Sequence, residues 1–296
     1  MSQVDEAAYR SLMSVWSAWA RRRHRDDFAR VERFCLFVGY PRSGHSIIGA
    51  FLNAHPDAVV SHELDVAPLV LGGCSRDDLY ARILARAGWF NLRGNQSNYS
   101  YRVPGQWQGR FRTLRVIGDK RGGAITRSIA EHPDFLERVR SLIGVPLRLI
   151  HVVRNPFDNI AAIAIWHGLS LEESIAFYFA HCRTTARLGE LCAAGELITL
   201  RHEDMIRSPA AQLTALFGFL ELGIESGHLA ACCRTMFPAP TCSRQRLTWS
   251  PALVREVEQR SRAHHWLDGY GFEIAGVPPA SSASVQAGEP TRRAAS

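Results

Sequence analysis

Charged and hydroxyl side chains follow the apolar segments of this sequence in a pattern that suits anion binding. The first such segment, residues 34–38, leads directly into residues 39–46, which include Arg42 and Ser46. Residues 39–46 have the spacing of the phosphate-binding loop G-x-x-x-x-G-K-[ST], with His45 at the lysine position. A strand, a glycine-bearing turn and a helix N-terminus together direct backbone N–H groups at one anion. The sequence therefore predicts an anion site at this loop.

Three later apolar segments also end in groups that could take part in chemistry. Glu63 follows the second segment, Lys120 the third and Arg154 the fourth. Parallel strands place such groups around a common crevice at one edge of a sheet. A site that hydrolyses nucleoside triphosphates needs a lysine in the loop and an acid after a neighbouring strand to hold Mg²⁺. Here the loop has no lysine, and the fourth segment ends in the cation Arg154. Ammonium and guanidinium groups neutralise phosphate or sulfate directly, so we expect no metal site.

The elements that position these groups alternate along the chain. Strands are predicted at residues 34–38, 58–61, 114–117, 147–153 and 197–200, and helices at about 124–142, 156–167, 171–193, 208–221 and 251–265. Residues 64–87 are predicted to form helices interrupted around residues 72–73. This alternation predicts a three-layer α/β domain over residues 34–273, with a central parallel sheet of about five strands covered by helices on both faces.

Three segments are predicted to lie outside this repeating pattern. Residues 1–33 are expected to form an amphipathic helix, with apolar side chains at helical spacing that face the core or a partner subunit, which leaves a homodimer open. Residues 274–296 are rich in Pro, Ala and Ser and are expected to be disordered. Residues 88–113 combine aromatic and amide side chains in a long loop, which we interpret as a lid or acceptor-binding insert. Its candidate acceptor-binding residues are Trp89, Phe90, Tyr99, Tyr101 and Trp107. The alternative is a loop that only covers the sheet.

Composition narrows the class of protein. The net charge of +7 favours anionic ligands, but the basic residues are scattered, so nucleic acid is not an expected partner. Lys120 is the single lysine among 35 Lys and Arg residues, which suggests a special role for it. The seven cysteines include no C-x-x-C pair, which favours reduced thiols in a cytosol. We expect a cytoplasmic protein without a membrane span or signal peptide.

Several motifs together resemble the sulfotransferase family, above all its tyrosylprotein, other Golgi-type and bacterial members. They are the loop PRSGHS at 41–46, the helix stop at 55–57, GDK at 118–120 and RNP at 154–156. The segments 200–204, 217–220 and 269–272, with Trp249, also match, so the resemblance covers about residues 34–272. It implies that the loop and its helix bind the 5′-phosphosulfate of 3′-phosphoadenosine 5′-phosphosulfate (PAPS), and that Arg154 binds its 3′-phosphate. The expected donor-binding residues are Pro41, Arg42, Ser43, Gly44, His45, Ser46, Arg154, Asp158, Asn159, Arg244 and Arg246.

The resemblance also implies the catalytic roles. Aligned from the loop without a gap, Glu63 falls on the family's catalytic base; the alternative is an acid that only stabilises a helix N-terminus. Lys120 corresponds to a family lysine that contacts the transferred group, and Arg42 would assist Lys120. The alternative is that Lys120 is a solvated loop lysine. His62 is the alternative base, because cytosolic sulfotransferases use a histidine. A base for the acceptor proton and cations on the leaving phosphate are what sulfuryl transfer needs.

The sequence departs from the family pattern at two positions. Ala162 replaces a serine that contacts the 3′-phosphate, a loss on the order of 1 kcal/mol that Asn159 could offset. His202 replaces a tyrosine. Arg244 and Arg246 are candidates for a second 3′-phosphate clamp, or are surface charges.

The expected function is transfer of the sulfuryl group of PAPS to a hydroxyl or amine of an unidentified small-molecule, glycan or peptide acceptor, without a metal. Two alternatives remain open at this point. One is a P-loop small-molecule kinase, which would bind ATP with Mg²⁺ and not 3′-phosphoadenosine 5′-phosphate (PAP). The other is a non-catalytic protein that binds PAP or another nucleotide.

Overall fold

Five parallel strands form the centre of the protein. The computed structural model describes residues 3–93 and 101–273, so Tyr99 and the tail 274–296 lie outside the described residues. The strands are β1 Arg33–Gly39, β2 Ala58–His62, β3 Val116–Lys120, β4 Leu147–Val153 and β5 Leu197–Arg201. They pair in the order β2-β3-β1-β4-β5, each pair parallel. The predicted α/β architecture is confirmed.

Helices connect the strands and cover both faces of the sheet. They are α1 Gln3–Arg23, α2 Arg25–Phe28, α3 His45–Asn53, α4 Val66–Leu71, α5 Arg76–Arg93, α6 Gly122–Glu131, α7 Phe135–Ile143, α8 Pro156–His167, α9 Leu171–Leu191, α10 His202–Arg207, α11 Pro209–Phe219, α12 Ser226–Thr235 and α13 Pro251–Ser261. Short 3₁₀ helices occupy Ser243–Arg246 and His265–Leu267.

The side chains of β1 alternate between two cores, because successive residues of a strand point to opposite faces. Phe34 and Leu36 pack on one face with residues of α4 to α7. Cys35 and Phe37 pack on the other face with α3 and α11. The sheet is therefore buried on both sides, and only its edges and the ends of its strands can accept a ligand.

Strand β3 is displaced from its predicted position of 114–117. It begins at Val116 and continues to Lys120, so Asp119 and Lys120 lie within the strand and not beyond it. The prediction was wrong because these polar residues interrupt the apolar pattern. They pair with the ends of the neighbouring strands, Asp119 with Leu36 and Lys120 with His62, where the sheet opens toward the crevice.

Helix boundaries differ from the prediction at three places. The helix predicted at 124–142 is two helices, because Pro133 interrupts it between α6 and α7. The helix predicted within residues 1–33 ends at Arg23, and α2 follows after His24. Residues 88–93, predicted as part of a loop, continue α5. Gly88 does not end the helix because Trp16 of α1 packs on it; a Cβ at Gly88 would lie 2.9 Å from the Trp16 ring.

The outer face of α1 carries Leu12, Val15 and Trp19, which are exposed. Such an exposed apolar face is compatible with a partner subunit, but one chain does not test the homodimer, which stays a prediction. None of the single helices within 3–93 and 101–273 is long and apolar enough to cross a membrane, whereas α8 and α9 together pass that test of length and composition across a 118° bend.

The close packing of β3 against β1 gives a test of the fold. Replacing Gly118 by alanine would place a Cβ 2.1 Å from the carbonyl oxygen of Cys35, inside the sheet. We expect Gly118→Ala to lower the free energy of unfolding by about 3 kcal/mol, the cost of overpacking a core. Chemical denaturation measures this change.

The matched control is Gly189→Ala. Gly189 lies on the exposed side of α9, and nothing lies within 4 Å of the position that a Cβ would take there. Alanine at this position should raise the free energy of unfolding by about 0.5–1 kcal/mol, because it favours the helix. Equal effects of the two substitutions would contradict the described pairing of β3 with β1.

Candidate functional site

A cavity of about 480 Å³ lies at the carboxyl edge of the sheet. Nine of the sequence-predicted site residues line it: Pro41, Arg42, Gly44, His45, Ser46, Glu63, Tyr101, Lys120 and Arg154. The ends of β1, β2, β3 and β4 thus converge on one space, as parallel strands require.

The loop 39–46 bends sharply around the start of α3. Gly39 and Gly44 have φ values of 111° and 103°, and Arg42 has a φ of 67°. The Gly39 N–H donates to Thr126 Oγ1 at 2.7 Å, which ties the loop to α6. Gly44 is the N-cap of α3 and supplies no side-chain cap, so the first N–H groups of α3 are available to an anion.

The two polar residues in the middle of the loop are structural in this arrangement. Ser43 is buried and donates to the Tyr40 carbonyl at 3.1 Å. Its Oγ also lies 3.2 Å from His45 Nε2, and the His45 ring packs against Phe37. Burial, reinforced by the charge of Lys120, lowers the pKa of His45 to about 3. The imidazole is therefore neutral, and the cation of this site comes from Lys120.

Lys120 lines the cavity and is almost completely buried. Its Nζ donates to Glu63 Oε1 at 2.8 Å and to Ser46 Oγ at 2.9 Å. The lysine side chain is 4% exposed and the Glu63 side chain 51%. The lysine stem runs along α3, where a Cβ at Gly49 would lie 3.0 Å from Lys120 Cγ. A buried ammonium thus joins the anion-binding loop to an accessible carboxylate.

The ion pair sets the protonation of both partners. Burial lowers the pKa of Lys120, and the Glu63 carboxylate opposes part of that effect. Partial burial alone would raise the pKa of Glu63, but the charge and hydrogen bond of Lys120 outweigh it, and the pKa lies below its usual value. At neutral pH Glu63 is a carboxylate, ready to accept a proton.

Asp119 holds the turn that carries Glu63. Its carboxylate accepts hydrogen bonds from Ser61 Oγ at 2.6 Å, from the Leu64 N–H at 2.9 Å and from the Asp65 N–H at 3.1 Å. These bonds stabilise a turn in which Glu63 and Asp65 have φ values of 58° and 65°, a conformation that costs energy for residues other than glycine. Asp119 is buried and acts on Glu63 by positioning it.

His62, the alternative base, is placed less well. Its ring stacks on Phe90 with centroids 4.1 Å apart, and it lines a separate cavity of about 20 Å³. Burial and the charge of Lys120 lower the pKa of His62 to about 3. Glu63, in contrast, lines the large cavity. The geometry therefore favours Glu63 over His62.

Arg154 is a buried guanidinium on the opposite side of the loop. It donates to the Arg42 carbonyl at 3.1 Å, to Ser243 Oγ at 3.2 Å and to the Thr241 carbonyl. Within the described residues no carboxylate forms an ion pair with it, and its buried Nε has no hydrogen-bond partner. Burial lowers the pKa of Arg154, although the more distant charges of Asp158 and Glu203 oppose this. A buried cation without a paired anion is costly, and an anionic ligand would compensate it.

Besides the buried Ser43, four predicted donor-binding residues do not line the cavity. Arg244 and Asp158 form a buried ion pair with an Nη2–Oδ2 distance of 3.6 Å, and the Arg244 N–H donates to Asp158 Oδ1. Asn159 donates to the Pro41 carbonyl at 2.8 Å and so holds the loop. Arg246 is exposed outside the cavity. Their charges and amides made them candidates, but each of the first three is engaged within the protein.

Only some of the predicted acceptor-binding residues line a cavity. Tyr101 lines both cavities and Phe90 the smaller one, whereas Trp89 and Trp107 line neither. Trp89 and Phe90 lie on α5 and not on a loop. Sequence reasoning missed other lining residues, among them Arg127, Trp166 and Phe177. No spacing motif marks these positions, and they become candidates only when α6, α8 and α9 are brought together.

Trp166 lies at the end of α8, with its side chain 62% exposed. The Arg42 guanidinium stacks on its ring, with Cζ 4.4 Å from the ring centroid.

In the part of the chain that the structure describes, His, Cys, Asp and Glu side chains form no group of three or more that could hold a metal ion.

Comparison with known proteins found no matching family model and no matching curated protein. The structure is similar to the sulfotransferase domain of the olefin synthase from Synechococcus PCC 7002, with a TM-score of 0.51, 16% identity, and coverage of 79% of this chain and 94% of that one. The chain has the sulfotransferase fold.

Two further solved sulfotransferases are similar. The STF9 sulfotransferase from Mycobacterium avium gives a TM-score of 0.49 and 13% identity, covering 88% of this chain and 83% of that one. The sulfotransferase domain from the curacin biosynthetic pathway gives a TM-score of 0.49 and 15% identity, covering 79% of this chain and 98% of that one. The similarity to the olefin synthase domain, at 16% identity, establishes the fold alone, so the chemistry must be argued from the site.

The Lys120–Glu63 pair gives a direct test of the site. In Lys120→Met the partial burial of Glu63 persists while its main opposing charge is removed. We therefore expect the pKa of Glu63 to rise relative to the wild type. Carboxyl ¹³C chemical shifts followed through a pH titration measure it.

Glu173 provides an internal control, because hydrogen bonds with Ser170 lower its pKa independently of Lys120. Its titration should be the same in both proteins. An unchanged titration of Glu63 in Lys120→Met would show that the ion pair does not form in solution.

Proposed function

We propose that this protein is a sulfotransferase that uses PAPS as donor and transfers its sulfuryl group to a hydroxyl acceptor. The observation that carries the proposal is the Ser46–Lys120–Glu63 arrangement. A carboxylate that can take a proton and an ammonium that can neutralise a developing charge lie within hydrogen-bond distance of one another. Both are at the anion-binding loop of a protein with the sulfotransferase fold.

The described residues fit a donor with two separated anionic groups. The start of α3, Ser46 and Lys120 would hold the phosphosulfate. Arg154, with its unpartnered Nε and no ion-pair partner among the described residues, would hold the 3′-phosphate. Gly44 lets the loop pack closely on His202, because a Cβ at Gly44 would lie 2.4 Å from His202 Nδ1. PAPS supplies a sulfuryl group on a good leaving group, the phosphate of PAP.

The residues of the site then have distinct roles. Glu63 takes the proton of the acceptor hydroxyl. At the same time the hydroxyl oxygen bonds to sulfur, and the bond between sulfur and the phosphate oxygen breaks. Lys120 stabilises the negative charge that passes to the phosphate of PAP, together with Ser46 and the loop N–H groups. As Lys120 turns toward the donor, its hold on Glu63 weakens and the carboxylate becomes a stronger base. Glu63 finally releases the proton to solvent.

Binding and transfer experiments test the proposal against its alternatives. Isothermal titration should show that PAP binds without Mg²⁺, and ³⁵S-labelled PAPS should label members of a panel of phenols, sugars and peptides. Binding of ATP that requires Mg²⁺, with no binding of PAP, would instead indicate a kinase. Tight PAP binding with no labelled product would indicate a non-catalytic nucleotide-binding protein.

Glu63→Gln tests the base. The amide keeps the size of the side chain but cannot take a proton, so we expect turnover to fall by roughly a hundredfold or more, while the affinity for PAP stays within a few fold. The control is Glu258→Gln, on the exposed side of α13, which should leave both quantities unchanged. Wild-type turnover in Glu63→Gln would remove Glu63 from the mechanism.

Arg154→Met tests the 3′-phosphate site. Loss of a charge-assisted contact should weaken PAP on the order of tenfold to a hundredfold. AMP, which has no 3′-phosphate, should bind both proteins with similar affinity, and this also reports whether the loop keeps its shape. The exposed Arg246→Met is the matched control and should bind PAP normally. Equal losses for PAP and AMP in Arg154→Met would make Arg154 a support of the loop only.

A further inference from the structure

We propose that the acceptor is an anionic, ring-containing hydroxyl compound, whose carboxylate, sulfate or phosphate group binds Arg127 and whose ring lies against Trp166 and Phe177. This inference rests on the proposed function, because it assigns the part of the cavity that the donor leaves open.

The elements around the cavity divide its lining into two groups. Arg154, His202 and residues 237–241 come from the ends of β4 and β5 and from the segment after α12. Arg127, Trp166 and Phe177 come from α6, α8 and α9, and α9 packs against both α6 and α8. The first group includes the unpaired guanidinium assigned to the donor. The second group is therefore open to the acceptor, with the loop, Lys120 and Glu63 between them.

The positive charges in and beside the second group are not all balanced by carboxylates. Lys120 pairs with Glu63, and Arg121 pairs with Asp65 at 3.0 Å. Arg127 is exposed on the second turn of α6, and across 3–93 and 101–273 no carboxylate pairs with it. Glu63 is the single acid among the described residues that line the cavity. An anion can therefore approach Arg127 without meeting a competing carboxylate other than Glu63.

Arg127 lies close to the aromatic wall. His181 of α9 contacts the Gly123 carbonyl of α6 at 3.3 Å, and burial together with the charge of Arg127 lowers the pKa of His181. Phe177 packs one turn earlier on α9, with its ring centroid 4.4 Å from that of His181. The cation and the Phe177 ring therefore belong to one surface of the α6–α9 packing.

Trp166 completes this surface with an exposed ring on which Arg42 already stacks. A large aromatic side chain that remains exposed at a cavity wall offers a flat apolar face to a ring of the acceptor. The combination of a flat face and an unpaired guanidinium selects a ring with a negative charge. A neutral ring could use only the first of these contacts, and a cationic ring would be repelled by Arg127 and Arg42.

Matched pairs of probes test the inference on protein saturated with PAP, which blocks the donor site. The pairs are 4-hydroxybenzoate with 4-hydroxybenzamide, and phenyl glucuronide with phenyl glucoside; the members of each pair differ mainly in charge. We expect the anionic member of at least one pair to bind on the order of tenfold more tightly, measured by ligand-observed NMR titration. Transfer from ³⁵S-labelled PAPS should show the same preference in kcat/KM.

Arg127→Gln should reduce this preference to within about twofold and leave the affinity for PAP unchanged. Arg187→Gln removes an equally exposed arginine of α9 that does not line the cavity, and should keep the preference. The higher affinity of the anionic member should also decrease with added salt in the wild type.

The outcomes separate this inference from the proposed function. Failure of the wild type to bind PAP or transfer sulfur would overturn the proposed function. Three outcomes, each with normal PAP binding, would overturn the anionic acceptor and leave the proposed function in place. They are equal affinities within each pair, no binding of either member at millimolar concentrations, and a preference that survives in Arg127→Gln.

Discussion

The ion pair between Lys120 and Glu63 is the interaction on which the rest of the site depends. Moving an ammonium into the interior is costly unless a carboxylate and further hydrogen-bond acceptors compensate it. Here the compensation comes from Glu63 and Ser46, which lie after different strands. The sheet must therefore bring β1, β2 and β3 side by side, and the turn after β2 must adopt its left-handed conformation. Asp119, from the same strand as Lys120, provides the hydrogen bonds that hold this turn.

The buried arginines illustrate how the same side chain can serve structure or ligand. Arg244 has Asp158 beside it, so the charge is balanced within the protein and the pair stabilises the packing of the segment after α12 on α8. Arg154 contacts neutral carbonyl and hydroxyl oxygens, which accept hydrogen bonds but leave the charge in place. Burial and residue type are alike in the two cases. The presence or absence of a carboxylate distinguishes them, and only the folded chain reveals it.

This difference explains which parts of the site the sequence could predict. The apolar segments predicted the five strands, although not the bounds of β3, and the carboxyl ends of parallel strands placed Glu63, Lys120 and Arg154 around one crevice. The sequence could not show that Arg244 pairs with Asp158, since the two are far apart in the chain. Nor could it place Trp166 or Arg127, whose position in the cavity depends on how α8 and α6 pack. Gly88 was misleading because its tertiary contact with Trp16 overrides the low helix propensity of glycine.

The contact between Gly49 and the stem of Lys120 accounts for an oddity of composition. Of the 35 Lys and Arg residues of this chain, Lys120 alone is a lysine. The stem lies close against α3, and the head must fit between a hydroxyl and a carboxylate. A compact ammonium can rotate there to meet either oxygen, whereas a planar guanidinium is wider and has a fixed fork of donors. The close packing on α3 and the two oxygens on either side of the head therefore suit an ammonium better than a guanidinium.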